Sequence, residues 1–128
     1  MLIQQDFGTI YGGGELIVGV EKEVGTFTDE HGVTHKRYIK IVDCGQMPNE
    51  TRKTVSHGID YVKILSVRGV ANGEQSNHIY GFSFPRTFAI TTSTHICDVY
   101  VQDDVIIINS PTYDLSNYNG YVTLEYYK

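Results

Sequence analysis

No stretch of ten or more residues in this chain repeats its apolar positions every three or four residues, as an amphipathic helix would. Where apolar side chains recur, they do so at every second position, the spacing of a strand that buries one face. Val122, Leu124 and Tyr126 alternate in this way with Tyr121, Thr123, Glu125 and Tyr127. The pattern returns where Arg37, Ile39 and Ile41 alternate with Tyr38, Lys40 and Val42, and where Cys97, Val99 and Val101 alternate with Asp98, Tyr100 and Gln102. Alanine, the strongest helix former, occurs only at Ala71 and Ala89. The expected fold is all-β: an antiparallel β-sandwich of jelly-roll type, with about eight short strands between Glu15 and Lys128.

Turn-forming residues divide the strands. Glu15 to Phe27 reads as one bent strand or two short ones, and Asp29 and Gly32 bracket a turn that closes a first hairpin. Pro48 fixes its own φ and Asn49 tolerates turn conformations, so the chain breaks one strand there and starts another. Thr54 and Val55 favour extended backbone after this corner, and Gly58 permits a conformation that a side chain would forbid. The nearly continuous apolar run from Tyr61 to Val70 suits a deeply buried strand, and Ala71 to Asn77 breaks the pattern. Two further extended pieces, Ile79 to Pro85 and Phe88 to Thr92, put Tyr80, Phe82 and Phe84 on one face. Asp103-Asp104 turns the chain between the strands of a second hairpin, and a loop from Ser110 to Gly120 leads to the last strand.

The first fourteen residues have no period of their own and end in Gly12, Gly13 and Gly14. They contain Leu2, Ile3, Phe7, Ile10 and Tyr11, too apolar for a solvated tail, so residues 1–14 are expected to form a docking arm and hinge ahead of a sandwich domain at 15–128. The alternative is an edge strand folded back on the same domain.

A length of 128 residues fits one domain with a core of its own. Ten Lys and Arg against 15 Asp and Glu leave a net charge of −5, which opposes binding to a phosphate backbone, so no nucleic-acid partner is expected. No apolar run approaches the roughly 20 residues that cross a bilayer, and no basic start precedes an apolar core. Neither membrane association nor a signal peptide is expected, and synthesis in the cytoplasm follows. There Cys44 and Cys97 would stay buried thiols, a disulfide between them being the alternative.

Residues that could carry chemistry have plainer readings. His31 and His35 lie near Asp29 and Glu30, but on a turn they read as exposed loop histidines rather than as metal ligands. His57 precedes Gly58 at a strand end, where its ring could cap the backbone of the 43–52 loop. Asp103-Asp104 reads as a turn, and Cys97 as a core thiol. No nucleophile elbow, phosphate loop, dinucleotide fingerprint or His-Glu-x-x-His pattern is present, so no catalytic residue, metal or cofactor is expected. Tyrosine is abundant, 10 residues with no tryptophan. Tyr113, Tyr118, Tyr121 and Tyr127 are candidates for a subunit or glycan surface, with Tyr121 and Tyr127 as an exposed row; core packing is the other reading.

Three segments together carry a family resemblance: "VGTFTDEHGVTHKRYIKI" at 24–41, "MPNETRKTVSHGI" at 47–59 and "YNGYVTLEYYK" at 118–128. The chain resembles a small β-domain of bacteriophage tail-fibre, head-fibre and related virion proteins, over roughly Glu23 to Lys128. Pro48, Asn49, His57 and Gly58 form its structural corner, and residues 71–94 depart furthest from its pattern. The resemblance implies a non-enzymatic structural protein of the virion, acting in assembly and in host-surface attachment. The partners implied are other capsid or tail proteins held through the arm, two further copies in a homotrimer, and a host-surface glycan. A carbohydrate-binding module or a depolymerase fragment is the alternative.

Overall fold

The computed structural model describes residues 16–75, 78–90 and 93–128, and of residues 74–75, 78–80 and 90 the backbone alone. Its strands are β1 Lys22–Thr28, β2 Thr34–Gln46, β3 Asn49–Ser56, β4 Ile64–Gln75, β5 His78–Phe84, β6 Arg86–Ile90, β7 Ser93–Gln102, β8 Val105–Asp114 and β9 Tyr118–Tyr127. The larger sheet has the order β1-β2-β9-β4-β5 and the smaller the order β3-β8-β7-β6. Every pairing is antiparallel, and the only helical piece among the described residues is a 3-10 turn at Tyr61–Lys63. The all-β reading of the sequence is thus correct.

Alternation along each strand decides what the sheets enclose. From the larger sheet, Cys44, Ala71, Phe84, Val122, Leu124 and Tyr126 meet Cys97, Val99, Ile106 and Ile108 of the smaller one in a single buried cluster. Each of its fully buried Ile and Leu side chains contributes about 1.5–3 kcal/mol relative to exposure. The residues of opposite phase, Ile39 and Ile41, form a second cluster with Leu16 on the outer face of the larger sheet, flanked by Val24, Val70 and Tyr121.

The first hairpin forms where the sequence places it. Asp29 Oδ1 accepts from the backbone N–H of His31 and of Val33, each at 2.9 Å, and Gly32 takes a left-handed φ of 81°. The Asp103-Asp104 turn joins β7 to β8, with Asp103 itself left-handed. The corner at Met47-Pro48 carries the chain from the larger sheet to the smaller, and Phe84-Pro85 does so again through a cis peptide bond.

Four expectations need correction. Strand β1 covers only Lys22–Thr28, and Val18-Gly19 is a turn, so among the described residues 16–27 only the part from Lys22 is strand. Tyr61 and Val62 are exposed in the 3-10 turn rather than deep in a strand, because the Asp60 carboxylate accepts from the Val62 N–H and caps the turn. Ala71 does not end the strand: β4 runs on to Gln75, paired with β5 and β9. Ser110 to Asp114 is strand rather than loop, with Ser110 Oγ donating to the Tyr113 carbonyl at 2.6 Å. Pro111 is tolerated there because the β7 ladder has already ended at Asn109.

Candidate functional site

The corner between β2 and β3 is fixed from several sides. Met47 N–H donates to the Tyr118 carbonyl at 2.8 Å, Leu115 N–H to the Pro48 carbonyl at 3.1 Å, and Gln46 Nε2 to the Ser116 carbonyl at 3.0 Å. The Met47 side chain is buried against Gly120, where a Cβ would collide with its sulfur. Only glycine leaves room there. The loop between β8 and β9 therefore braces the corner.

An open groove of about 500 Å³ lies on this corner, lined by Gln46, Asn49, Thr51, Arg52, Lys53 and Ser116 with Met47 and Pro48. Its lining holds two cations and no carboxylate, in a chain whose net charge is −5. Lys53 is held in place, its Nζ donating to the Gln46 carbonyl at 2.9 Å. Arg52 is exposed and makes no hydrogen bond or ion pair with a described residue, and the same is true of the Asn49 and Thr51 side chains. Glu50 adopts a φ of 50° at a bulge between Asn49 and Thr51. A non-glycine residue in this region is strained by about 1 kcal/mol, and the bulge re-aims the residues beside it.

At a separate cleft of about 200 Å³, Glu21 accepts hydrogen bonds from the Tyr126 hydroxyl and, at 2.8 Å, from Lys128 Nζ. Burial pushes the Glu21 carboxyl up, but these bonds and the Lys128 charge more than offset it and hold the group below its ordinary value. Burial and the facing carboxylate push the Tyr126 phenol well above its ordinary value. With its partners taken up by one another, this cluster ties the start of β1 to the end of β9.

The residues singled out in the sequence fall as follows. Pro48 and Asn49 line the corner groove. His57 is buried and does cap backbone, but that of the 103–104 turn and not of the 43–52 loop. Its Nδ1 accepts from the Ile59 N–H at 3.0 Å, which leaves the proton on Nε2, and Nε2 donates to the Asp103 carbonyl at 2.9 Å. Gly58, at φ 69°, allows the chain to turn back beneath the ring.

Tyr118 is buried in the core, so it offers no surface. Tyr113 packs edge-on against Phe88, and Tyr121 packs on the outer cluster with Ile39 and Ile41. Tyr127 stacks on Phe27 with ring centroids 5.0 Å apart. Tyr121 and Tyr127 are thus half-buried rather than an exposed row, because Phe27 and His35 pack on Tyr127 and the Leu16, Ile39 and Ile41 cluster on Tyr121. His31 is exposed, whereas His35 is half-buried on β2 between Phe27 and Tyr127, with Nε2 2.9 Å from Asp29 Oδ2. Both cysteines are free, buried thiols. Leu2, Ile3, Phe7, Ile10 and Tyr11 lie outside the described residues.

Sequence reasoning missed Arg52 and Lys53 as site residues. The available signal was a pair of adjacent cations directly after a Pro-Asn corner in an acidic chain. Compared with protein-family models, curated proteins and solved structures, the chain matches none of them.

Proposed function

We propose that this chain is a non-enzymatic structural protein of a bacteriophage virion, acting in particle assembly and in attachment to the host surface. One observation carries the proposal: the 47–59 segment, on which the resemblance to fibre domains rests most heavily, is the braced corner that presents the groove. Pro48, Lys53 and His57 each have a structural task there, which leaves Arg52 as the cation of the segment open to a ligand. The all-β sandwich suits the role, since exposed loops on a rigid double sheet commonly carry recognition.

The finer parts of this reading belong to the same proposal. In it the sandwich is of jelly-roll type, with β2, β9 and β4 facing β3 and β8 as the shared half of that topology. Residues 1–14 serve as the arm held by other virion proteins, and three copies associate on the particle. The test is to supply the full chain or a chain lacking residues 1–14 to cells infected by a phage without its own copy. Purified particles should contain the full chain and lack the truncated one, while the truncated protein keeps its melting temperature. Absence of the full chain from particles overturns the virion reading, and incorporation of the truncated chain overturns the arm. Light scattering on the purified protein checks the trimer, and a monomer at all concentrations up to those on a particle overturns it.

A further inference from the structure

We infer that the corner groove binds an acidic saccharide, with the Arg52 guanidinium pairing with its carboxylate or phosphate and Lys53 adding a second positive charge. The inference rests on the attachment part of the function proposed above and names its ligand class and site.

The groove's chemistry points to a charged polyol rather than to a peptide or a nucleic acid. Asn49, Thr51 and Arg52 have unengaged hydrogen-bonding groups among the described residues, and these are the amide, hydroxyl and guanidinium groups that satisfy sugar hydroxyls and acids. A peptide site would offer an apolar pocket for a side chain, and this lining is predominantly polar and open. A nucleic acid would need a longer run of cations than the adjacent pair here, and would meet a net charge of −5.

Preorganisation supports the same conclusion. Lys53 is fixed by the Gln46 carbonyl, so its charge is placed before a ligand arrives. Arg52 has no internal partner to give up, and a guanidinium meets a carboxylate or a phosphate through paired parallel hydrogen bonds. The left-handed backbone at Glu50 lies between two lining residues, Asn49 and Thr51, while Glu50 itself is not part of the lining. Local strain of this kind is concentrated at binding sites. Glu50 is absent from the lining, so the groove's only charged groups are Arg52 and Lys53.

The experiment titrates the purified full chain with trigalacturonate, with a glycerol-phosphate trimer and with maltotriose, at low salt, following amide chemical shifts. Shifts confined to the backbone around residues 46–53 and 116 are expected with one or both anionic probes and not with maltotriose. Binding of trigalacturonate alone identifies the carboxylate source, and binding of the glycerol-phosphate trimer alone the phosphate source. Arg52→Ala should weaken binding by about tenfold or more, with Arg52→Lys in between, since lysine keeps the charge and loses the fork. Arg52 is exposed and internally unbonded, so both variants should keep the wild-type melting temperature. Equal binding of maltotriose, no binding of either anion at 10 mM (roughly the weakest affinity such a site would show), or an Arg52→Ala variant that binds as the wild type overturns the inference. These outcomes are read on isolated protein, so they are independent of whether the chain enters virions.

Discussion

The ring of Phe84 occupies the space that a side chain at Gly69 would fill. The two residues are partners across the β4–β5 ladder, Phe84 is buried, and a Cβ built on Gly69 would overlap three of its ring atoms. A phenyl ring held on all sides by a packed core cannot swing away as an exposed side chain would. Gly69→Ala should therefore destabilise the protein by about 2 kcal/mol or more, despite the gain in strand propensity that alanine offers over glycine. Denaturant unfolding checks this, and a variant as stable as the wild type would mean that Phe84 has room to move.

His57 holds the start of one connection against the end of another. Its ring receives the Ile59 N–H and donates to the Asp103 carbonyl, while its own backbone N–H donates to the Asp104 carbonyl at 3.0 Å. His57→Ala leaves a cavity and at least one buried polar group unpaired, at a cost of about 2–4 kcal/mol. His57→Gln should recover part of the loss, since an amide can also donate and accept. Thermal melts of both variants decide the matter: equal melting temperatures for alanine and glutamine would show that the bonds contribute nothing.

Acid should destabilise the fold through carboxylates held below their ordinary values. In Asp29 the hydrogen bond with His35 is the leading cause, followed by that from the Val33 N–H; in Asp114 it is the side-chain and backbone bonds of Ser116. Glu21 shares this direction through Lys128 and Tyr126. A depressed carboxyl contributes stability above its unfolded value and loses it as pH falls through the lower folded value. Stability should thus hold near neutrality and decline below about pH 4. Replacing Glu21 with glutamine should make that decline shallower. Denaturant melts between pH 3 and 7 that show no decline, or the same slope for both proteins, would refute the assignment.

Burial sets the reactivity of both cysteines. It pushes the Cys44 thiol up to about 11, against a smaller opposing effect of Lys53, and the Cys97 thiol up to about 12, with the Asp98 charge adding to it. Neither thiol is a competent nucleophile at neutral pH. Iodoacetamide labelling near pH 8 should be slow in native buffer and accelerate in step with denaturant unfolding. Rapid labelling of either cysteine without denaturant would show that its strand opens locally.

The alternation that revealed β2, β7 and β9 was legible because large apolar residues marked the buried face. In β4 the same period was written in small ones. Gly69, Ala71 and Gly73 are opposite Phe84, Phe82 and Tyr118 in the ladders; a Cβ at Gly69 would meet the Phe84 ring, and one at Gly73 the Asn117 carbonyl and the Tyr118 ring. Read for hydrophobicity, those positions look like a break; read for volume, they complete the strand. Tyr121 and Tyr127 misled in the opposite sense. Their phase was right, but Leu16 and Phe27 come from distant points of the chain to flank that outer face, and no local pattern announces such a covering. The groove needed knowledge of tertiary structure as well, since Ser116 reaches it from beyond β8.

The place of β9 in the larger sheet has a kinetic consequence. Within the larger sheet, the β1–β2 hairpin and the β4–β5 hairpin are joined through Tyr118–Tyr127, which pairs with both β2 and β4. Until that segment inserts, the sheet is two separate ribbons, each with a bare edge and neither able to complete the core. The closing step must bring Tyr126 back to Tyr38 and to Ile64 at once, across loops long enough to make encounter slow. If β9 docks last, the unpaired edges of β2 and β4 are open in that interval to pairing with another copy. Pulse-labelled exchange during refolding should find amides of the β7–β8 hairpin protected before those of β2 and β4, which should gain protection together.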